Sequence, residues 1–316
     1  MVATAGIANL EIPAIPLDWT KIWVAVGIAG IFFAALFFTT FEGLAGRWAA
    51  DASWSHGFVV PLIALFFVYN KWELLKQLPL KGAGMGMIIL MAGVFGQVLF
   101  RATGTLHMSN LSIVVTLYGL VLFVFGWNHL RILWLPISFL VFMLPPPNAL
   151  YVAATTPMQF IAAELGVRFC PLFGITAMRD GTIIRVLAAG RWEELQVAEA
   201  CSGMRMLVAF FALAVALAYS TNRPVWEKVF LAACALPIAI LCNSLRVTFT
   251  AALVVWGGPE WAHGKTHEYV GLLMLIPALI LQMAVGWVLD RIFVEQPADE
   301  FHGTPPGSAL APGGGE

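Results

Sequence analysis

The sequence predicts an all-α polytopic membrane protein of about eight transmembrane helices, with a small outward β-hairpin before a cysteine. Three observations predict it. The 316-residue chain is 60% hydrophobic and 11% charged, whereas a soluble domain carries about 25% charged residues. Its apolar residues gather into runs near the ~20 residues that one helix needs to cross a hydrocarbon core. One segment breaks this pattern with alternating and β-branched residues just ahead of Cys201.

The apolar runs are residues 22–40, 56–72, 83–101, 108–126, 130–144, 203–220, 228–256 and 268–289. The second and fifth are short. The seventh is long and contains Pro237 and Asn243. It reads either as one kinked helix or as a span followed by a separate membrane-embedded segment. Residues 148–167 are helical in pattern but more mixed. They read as an interfacial helix, with a ninth span as the alternative. "GTIIRVL" and "WEELQVAE", separated by "AAGR", read as a β-hairpin running into Cys201. The tail "EQPADEFHGTPPGSALAPGGGE" is rich in Pro and Gly and reads as disordered. The expected organisation is an N-terminal cytoplasmic segment over 1–20 and a transmembrane domain over 21–290. That domain holds an outer segment at about 145–200, and a cytoplasmic tail follows over 291–316. No internal repeat is evident.

Orientation follows from cations in short loops. With eight spans, Lys71, Lys76, Lys81, Arg131, Arg223 and Lys228 share one side with Lys21 and Arg291. The opposite short loops hold Arg47, Arg101 and Lys265. Both termini are therefore expected in the cytoplasm and the segment before Cys201 outside. The arginines of that long segment oppose this mildly, but long loops are poorly governed by the rule. The N-terminus lacks a basic start followed by an apolar core, so it does not read as a cleavable signal peptide. A net charge of −1 indicates no broad nucleic-acid surface. The four cysteines form no C-x-x-C pair, so neither a zinc knuckle nor a disulfide framework is suggested.

Three polar residues stand out. In "EACSGMRML", Cys201 follows Glu199 and precedes Ser202 and Arg205 at the start of an apolar run. A thiol attacks a carbonyl as thiolate, and a cation or helix N-terminus favours that form. Arg246 lies in "CNSLRVTFTAALVVW", inside apolar sequence. A charge at mid-span costs at least ~2.5–3.5 kcal/mol on insertion scales, which makes it a functional-site candidate by default. His267 lies in "HGKTHEYVGLLML". A histidine takes the thiol proton and later gives one to the leaving amine. Arg246 either donates to the charge developing on the carbonyl oxygen or holds the thiolate. Asn243, one helical turn earlier on the same face, is placed to orient it.

Each residue also has a plainer reading. A cysteine at a helix start is often just a small buried residue. Arg246 can serve a structural ion pair, and His267 can be an interfacial histidine. Cys234 and Cys242 lie deep in apolar sequence, and Cys170 could pair with Cys201 in an oxidising compartment. Ser202 is a weaker nucleophile candidate, with no lysine nearby in sequence. His263 and His267 have a helical spacing that suits a metal, but Gly264 lies between them and no H-E-x-x-H follows. Neither a metal nor another cofactor is expected.

Four stretches resemble the exosortase/archaeosortase family of multispanning membrane proteins. "SWSHGFVVPLIALFFVYNKW", which contains His56, resembles its N-terminal signature, with Trp54 where Tyr is usual. "LWLPISFLVFMLPPP" resembles the segment ending in a proline-rich turn. "EACSGMRML" resembles the cysteine motif, and "NSLRV" and "HEYVG" the arginine and histidine motifs. The likeness spans about residues 20–290. It implies a membrane cysteine protease or transpeptidase in the inner membrane of a prokaryote, with its active site facing outward. Its partners would be membrane lipids and exported proteins with a C-terminal sorting signal. That signal is a Pro-Glu-Pro-like motif, then a transmembrane helix, then a basic cluster. The resemblance implies Cys201, Arg246 and His267 as the catalytic trio, and an association with exopolysaccharide genes. Arg185 and Arg191 are candidates to meet an acidic signal residue, or else form a solvated hairpin surface. The competing readings are a multispanning transporter, with Pro237 as a helix break, and a polysaccharide-export assembly factor without protease activity.

Overall fold

In hydrocarbon every backbone N–H and C=O needs a partner within the protein, so apolar runs fold as helices. The computed structural model describes residues 19–51, 54–196, 203–221, 223–258 and 273–293. The first half comprises α1 (Trp19–Ala50), a 3-10 turn (Ser55–Phe58), α2 (Val60–Asn70), α3 (Trp72–Gln77), α4 (Gly84–Ala102), α5 (Leu106–Val124) and α6 (Trp127–Phe139). A second 3-10 turn (Leu140–Met143) leads to α7 (Asn148–Phe169). Then come strands β1 (Ala177–Asp180), β2 (Ile183–Ala188) and β3 (Arg191–Gln196), followed by α8 (Gly203–Ser220), α9 (Val225–Gly257) and α10 (Leu275–Ile292).

Each of the eight expected apolar runs contributes helix, but they differ in length and composition. Among the described residues, five helices are long and apolar enough to cross a membrane: Val26–Ala50, α4, α5, α9 and α10. A sixth exists if Trp127–Met143 and Asn148–Phe173, bent by 82°, count as one span. Ser55–Asn70 and Val208–Ser220 are apolar but shorter helices. The bend falls at Pro145–Pro147, where missing N–H groups and the restriction on residues before proline forbid a continuous helix.

The seventh run resolves into one helix. α9 continues through Pro237 and Asn243 from Val225 to Gly257. The helix break that a transporter would place at Pro237 is absent.

Helices α4 and α5 pack backbone to backbone, the mode that small residues permit in membranes. A Cβ on Gly119 would lie 2.3 Å from Leu90 N, and one on Gly86 would lie 2.2 Å from Phe123 N. A buried amide fastens α1 to this pair. Gln97 Nε2 donates to Thr40 Oγ1 at 2.6 Å, and Gln97 Oε1 accepts from Ser109 Oγ at 2.8 Å and Ser112 Oγ at 3.0 Å.

Where a hairpin was expected there is a three-stranded antiparallel sheet in the order β1-β2-β3. Gly181 (φ 64°) turns β1 into β2, and Ala189 (φ 47°) with Gly190 (φ 79°) turns β2 into β3. Two consecutive positive φ values match the twist that tight hairpins require. The sheet buries Ile184, Val186, Ala188 and Leu195 against Ala162 and Ala163 of α7 and Val247, Ala251 and Val254 of α9.

Gly119→Ala should force the α4 and α5 backbones apart, at a cost of about 1–3 kcal/mol. Thermal unfolding of purified protein in detergent is expected to shift down by several degrees. Gly30→Ala, where a Cβ meets nothing within 4 Å, should leave the midpoint unchanged.

Candidate active site

Arg246 is 2% exposed and Asn243 likewise 2% exposed, both on the inward face of α9. With the buried Thr250 they form a polar stripe at helical spacing. At about 1.5 Å per residue, the helix from Val225 to Arg246 runs roughly 30 Å, one hydrocarbon thickness. Arg246 thus sits a bilayer's depth along the helix, at the end that carries the sheet. Its side chain is engaged there, not isolated. Asn243 shares its face, yet no hydrogen bond joins the two. Among the described residues, neither Asn243 Nδ2 nor Oδ1 has a hydrogen-bond partner, and Thr250 Oγ1 has none either. An amide left unsatisfied in an apolar bundle costs about 1–3 kcal/mol, so these groups are not explained by packing.

Close contact between α7 and α9 holds the stripe in place. A Cβ on Gly166 would lie 2.8 Å from Val247 Cγ1. Thr248 Oγ1 lies 3.3 Å from Gly166 O across the same seam. Cys170, at the end of α7, is fully buried with its thiol free in the core beneath the sheet.

Glu199, Cys201, Ser202 and His267 lie outside the described residues. The elements flanking the cysteine do not: β3 ends at Gln196, and the following helix begins at Gly203 with Arg205 in its first turn.

On the outer face of the sheet, Arg185 pairs with Glu194 at 2.9 Å and with Asp180 at 3.6 Å. It is therefore already balanced by two carboxylates. Arg191 is exposed at the β2–β3 turn. Glu164 of α7 binds Arg168 at 2.8 Å and Arg179 of β1 at 3.0 Å, tying the sheet to the helix.

His56 serves a different junction. Its Nε2 donates to Phe142 O at 3.1 Å, and Trp48 Nε1 donates to Met143 O at 3.1 Å. A Cβ on Gly57 would lie 2.3 Å from Trp48 Nε1. The Ser-His-Gly stretch is thus clamped onto the turn that precedes Pro145–Pro147. Trp48 was not singled out from the sequence, because a donor and acceptor so distant along the chain leave no local pattern.

The family model described as Transmembrane exosortase (Exosortase_EpsH) matches residues 48–284. The chain belongs to the transmembrane exosortase family. No curated protein and no solved structure matches it. The match begins at Trp48, where the clamp on the proline turn begins, and takes in the whole polar stripe of α9. This exosortase is accordingly an integral membrane protein of a family of cysteine-dependent transpeptidases with a sorting role, acting on exported proteins that carry C-terminal signals.

Trp48→Phe replaces the buried indole by a smaller ring and removes the donor to Met143 O, at a cost of about 1–2 kcal/mol. Gly57→Ala drives a Cβ into the indole and should cost more. In thermal unfolding the second variant is expected to fall well below the first, which in turn lies slightly below wild type.

Proposed function

We propose that this exosortase cleaves PEP-CTERM-like C-terminal sorting signals at the outer boundary of the membrane, through a thioester on Cys201. The reading is carried by the near-complete burial of Arg246 in a membrane helix, beside the sheet whose last strand leads to the cysteine segment. A guanidinium in apolar surroundings is costly to keep and gains its use from charge that develops next to it.

In this mechanism His267 takes the thiol proton and Cys201 Sγ attacks the scissile carbonyl carbon. Arg246 donates to the thiolate or to the oxyanion that forms. The C–N bond breaks, and His267 gives its proton to the departing amine. The substrate's new C-terminal carbonyl is then held as a thioester. An acceptor nucleophile, water or an amine, loses a proton to His267 and displaces the Cys201 thiolate. Asn243 lines the same polar stripe as Arg246, with its amide open to a substrate group, and Ser202, Arg205 and Glu199 support Cys201. His56 supports from a distance by fixing the proline turn. A substrate helix would lie among the spans, with its signal beside the sheet, where Arg191 is exposed and Arg185 half-buried.

Co-expression with a substrate bearing a C-terminal signal tests this by immunoblot. Wild type should shorten the substrate. Cys201→Ala and His267→Ala, present at equal levels in the membrane, should leave it full length. Arg246→Lys keeps the charge but loses the planar fork of donors, and should slow processing at least tenfold. Shortening that persists in Cys201→Ala would end the protease reading.

A further inference from the structure

A polar cavity lies away from the α9 stripe. It has a volume of about 330 Å³ and opens between the last turn of α1, the α4–α5 connection and the proline turn before α7. Arg47, His107, Asn110 and Asn148 line it, together with Pro145–Pro147. Among the described residues, none of these four side chains has a hydrogen-bonding or ionic partner. Among the described residues, no carboxylate lines the cavity. Two helices, α5 and α7, also begin at its wall, and neither has a capping side chain. At α5 the Leu106 and Met108 amides are taken by Gly104 O and Thr105 O, so the first turn of α7 is the one that adds backbone donors.

Such a site is rich in donors, carries a fixed positive charge and lacks a counter-charge. It therefore selects an anion with several acceptor oxygens. A guanidinium and an imidazole beside the uncapped start of α7 suit a phosphate. The location selects the source. α1, α4 and α5 are membrane helices, and the cavity lies at their ends, where headgroups meet water. Leu106 in its wall and Leu150 beside it are each 60% exposed, offering apolar surface next to the polar cleft.

We infer that this cleft is a phosphate-binding site that holds the headgroup of an anionic glycerophospholipid. Arg47 and His107 bind the phosphate oxygens, and Asn110 and Asn148 bind the phosphate or the glycerol. The bound headgroup would fasten α1 to the α4–α5 pair and to the proline turn that His56 and Trp48 also hold. This inference stands independently of the transpeptidase reading, because it concerns residues away from the α9 stripe and requires no turnover.

The plainer alternative is that Arg47 reaches to the interface as any terminal arginine does. Arg101, exposed in the last turn of α4 but outside the cavity wall, serves as the control. Full-length protein in nanodiscs of phosphatidylcholine, with increasing phosphatidylglycerol, is followed by thermal unfolding and by native mass spectrometry of retained lipid. Wild type should gain stability and retain phosphatidylglycerol. Arg47→Gln and His107→Gln should each weaken the response about tenfold while unfolding as wild type does in pure phosphatidylcholine. Arg101→Gln should respond as wild type.

An equal loss in Arg101→Gln, or no loss in Arg47→Gln, would overturn the site in favour of diffuse surface charge. If inorganic phosphate alone reproduces the full stabilisation and Arg47→Gln abolishes it, the phosphate site stands and its lipid source is overturned. Stabilisation by an acidic peptide, with none from phosphatidylglycerol or phosphate, would overturn the inference.

Discussion

The architecture is organised around one costly feature, a guanidinium kept 2% exposed inside a membrane helix. A charge there needs fixed surroundings, because any loosening admits either lipid or uncontrolled water. The protein supplies them with a single uninterrupted helix, α9, and with α7 pressed against it so closely that Gly166 has no room for a side chain. The sheet then closes over the same end, its buried strand residues resting on both helices. Charge, seam and sheet are thus parts of one arrangement, and each is hard to change without the others.

A second constraint acts through proline. The chain must turn sharply between α6 and α7, and Pro145–Pro147 make it do so. A turn of this kind leaves carbonyls without helical partners just upstream. Trp48 and His56 take up two of them, at Met143 and Phe142. Two stretches that are separate in sequence therefore become one structural unit. Gly57 belongs to that unit because the indole occupies the space a Cβ would need.

Much of this was legible in the sequence, and the reasons for the exceptions are physical. Apolar runs declare helices, so every one of the eight runs is at least partly helical in the described residues. Their lengths alone did not fix the number of spans, because 3-10 turns take the end of one run and the start of another. Arg246 was conspicuous because charge is rare in such surroundings. β1 was not, since its residues are mostly exposed and carry no alternation to detect. The continuity of α9 was undecidable beforehand, because Pro237 permits both a kink and a break. The clamp at Trp48 was invisible for lack of any local signal. The cysteine and histidine motifs were read from residue type and order alone, and they lie outside the described residues.

The central claim is that the substrate passes through a covalent thioester on Cys201 before release or transfer. Hydroxylamine tests it directly, because this nucleophile intercepts a thioester and leaves a hydroxamate on the acyl group. Substrate would be processed by membranes containing the full-length protein, with and without hydroxylamine, and the mass of its new C-terminus measured. The account predicts a C-terminal hydroxamate that appears only with hydroxylamine and is absent from Cys201→Ala membranes. A C-terminus that remains a plain carboxylate at saturating hydroxylamine, or a hydroxamate formed equally by Cys201→Ala, would contradict it.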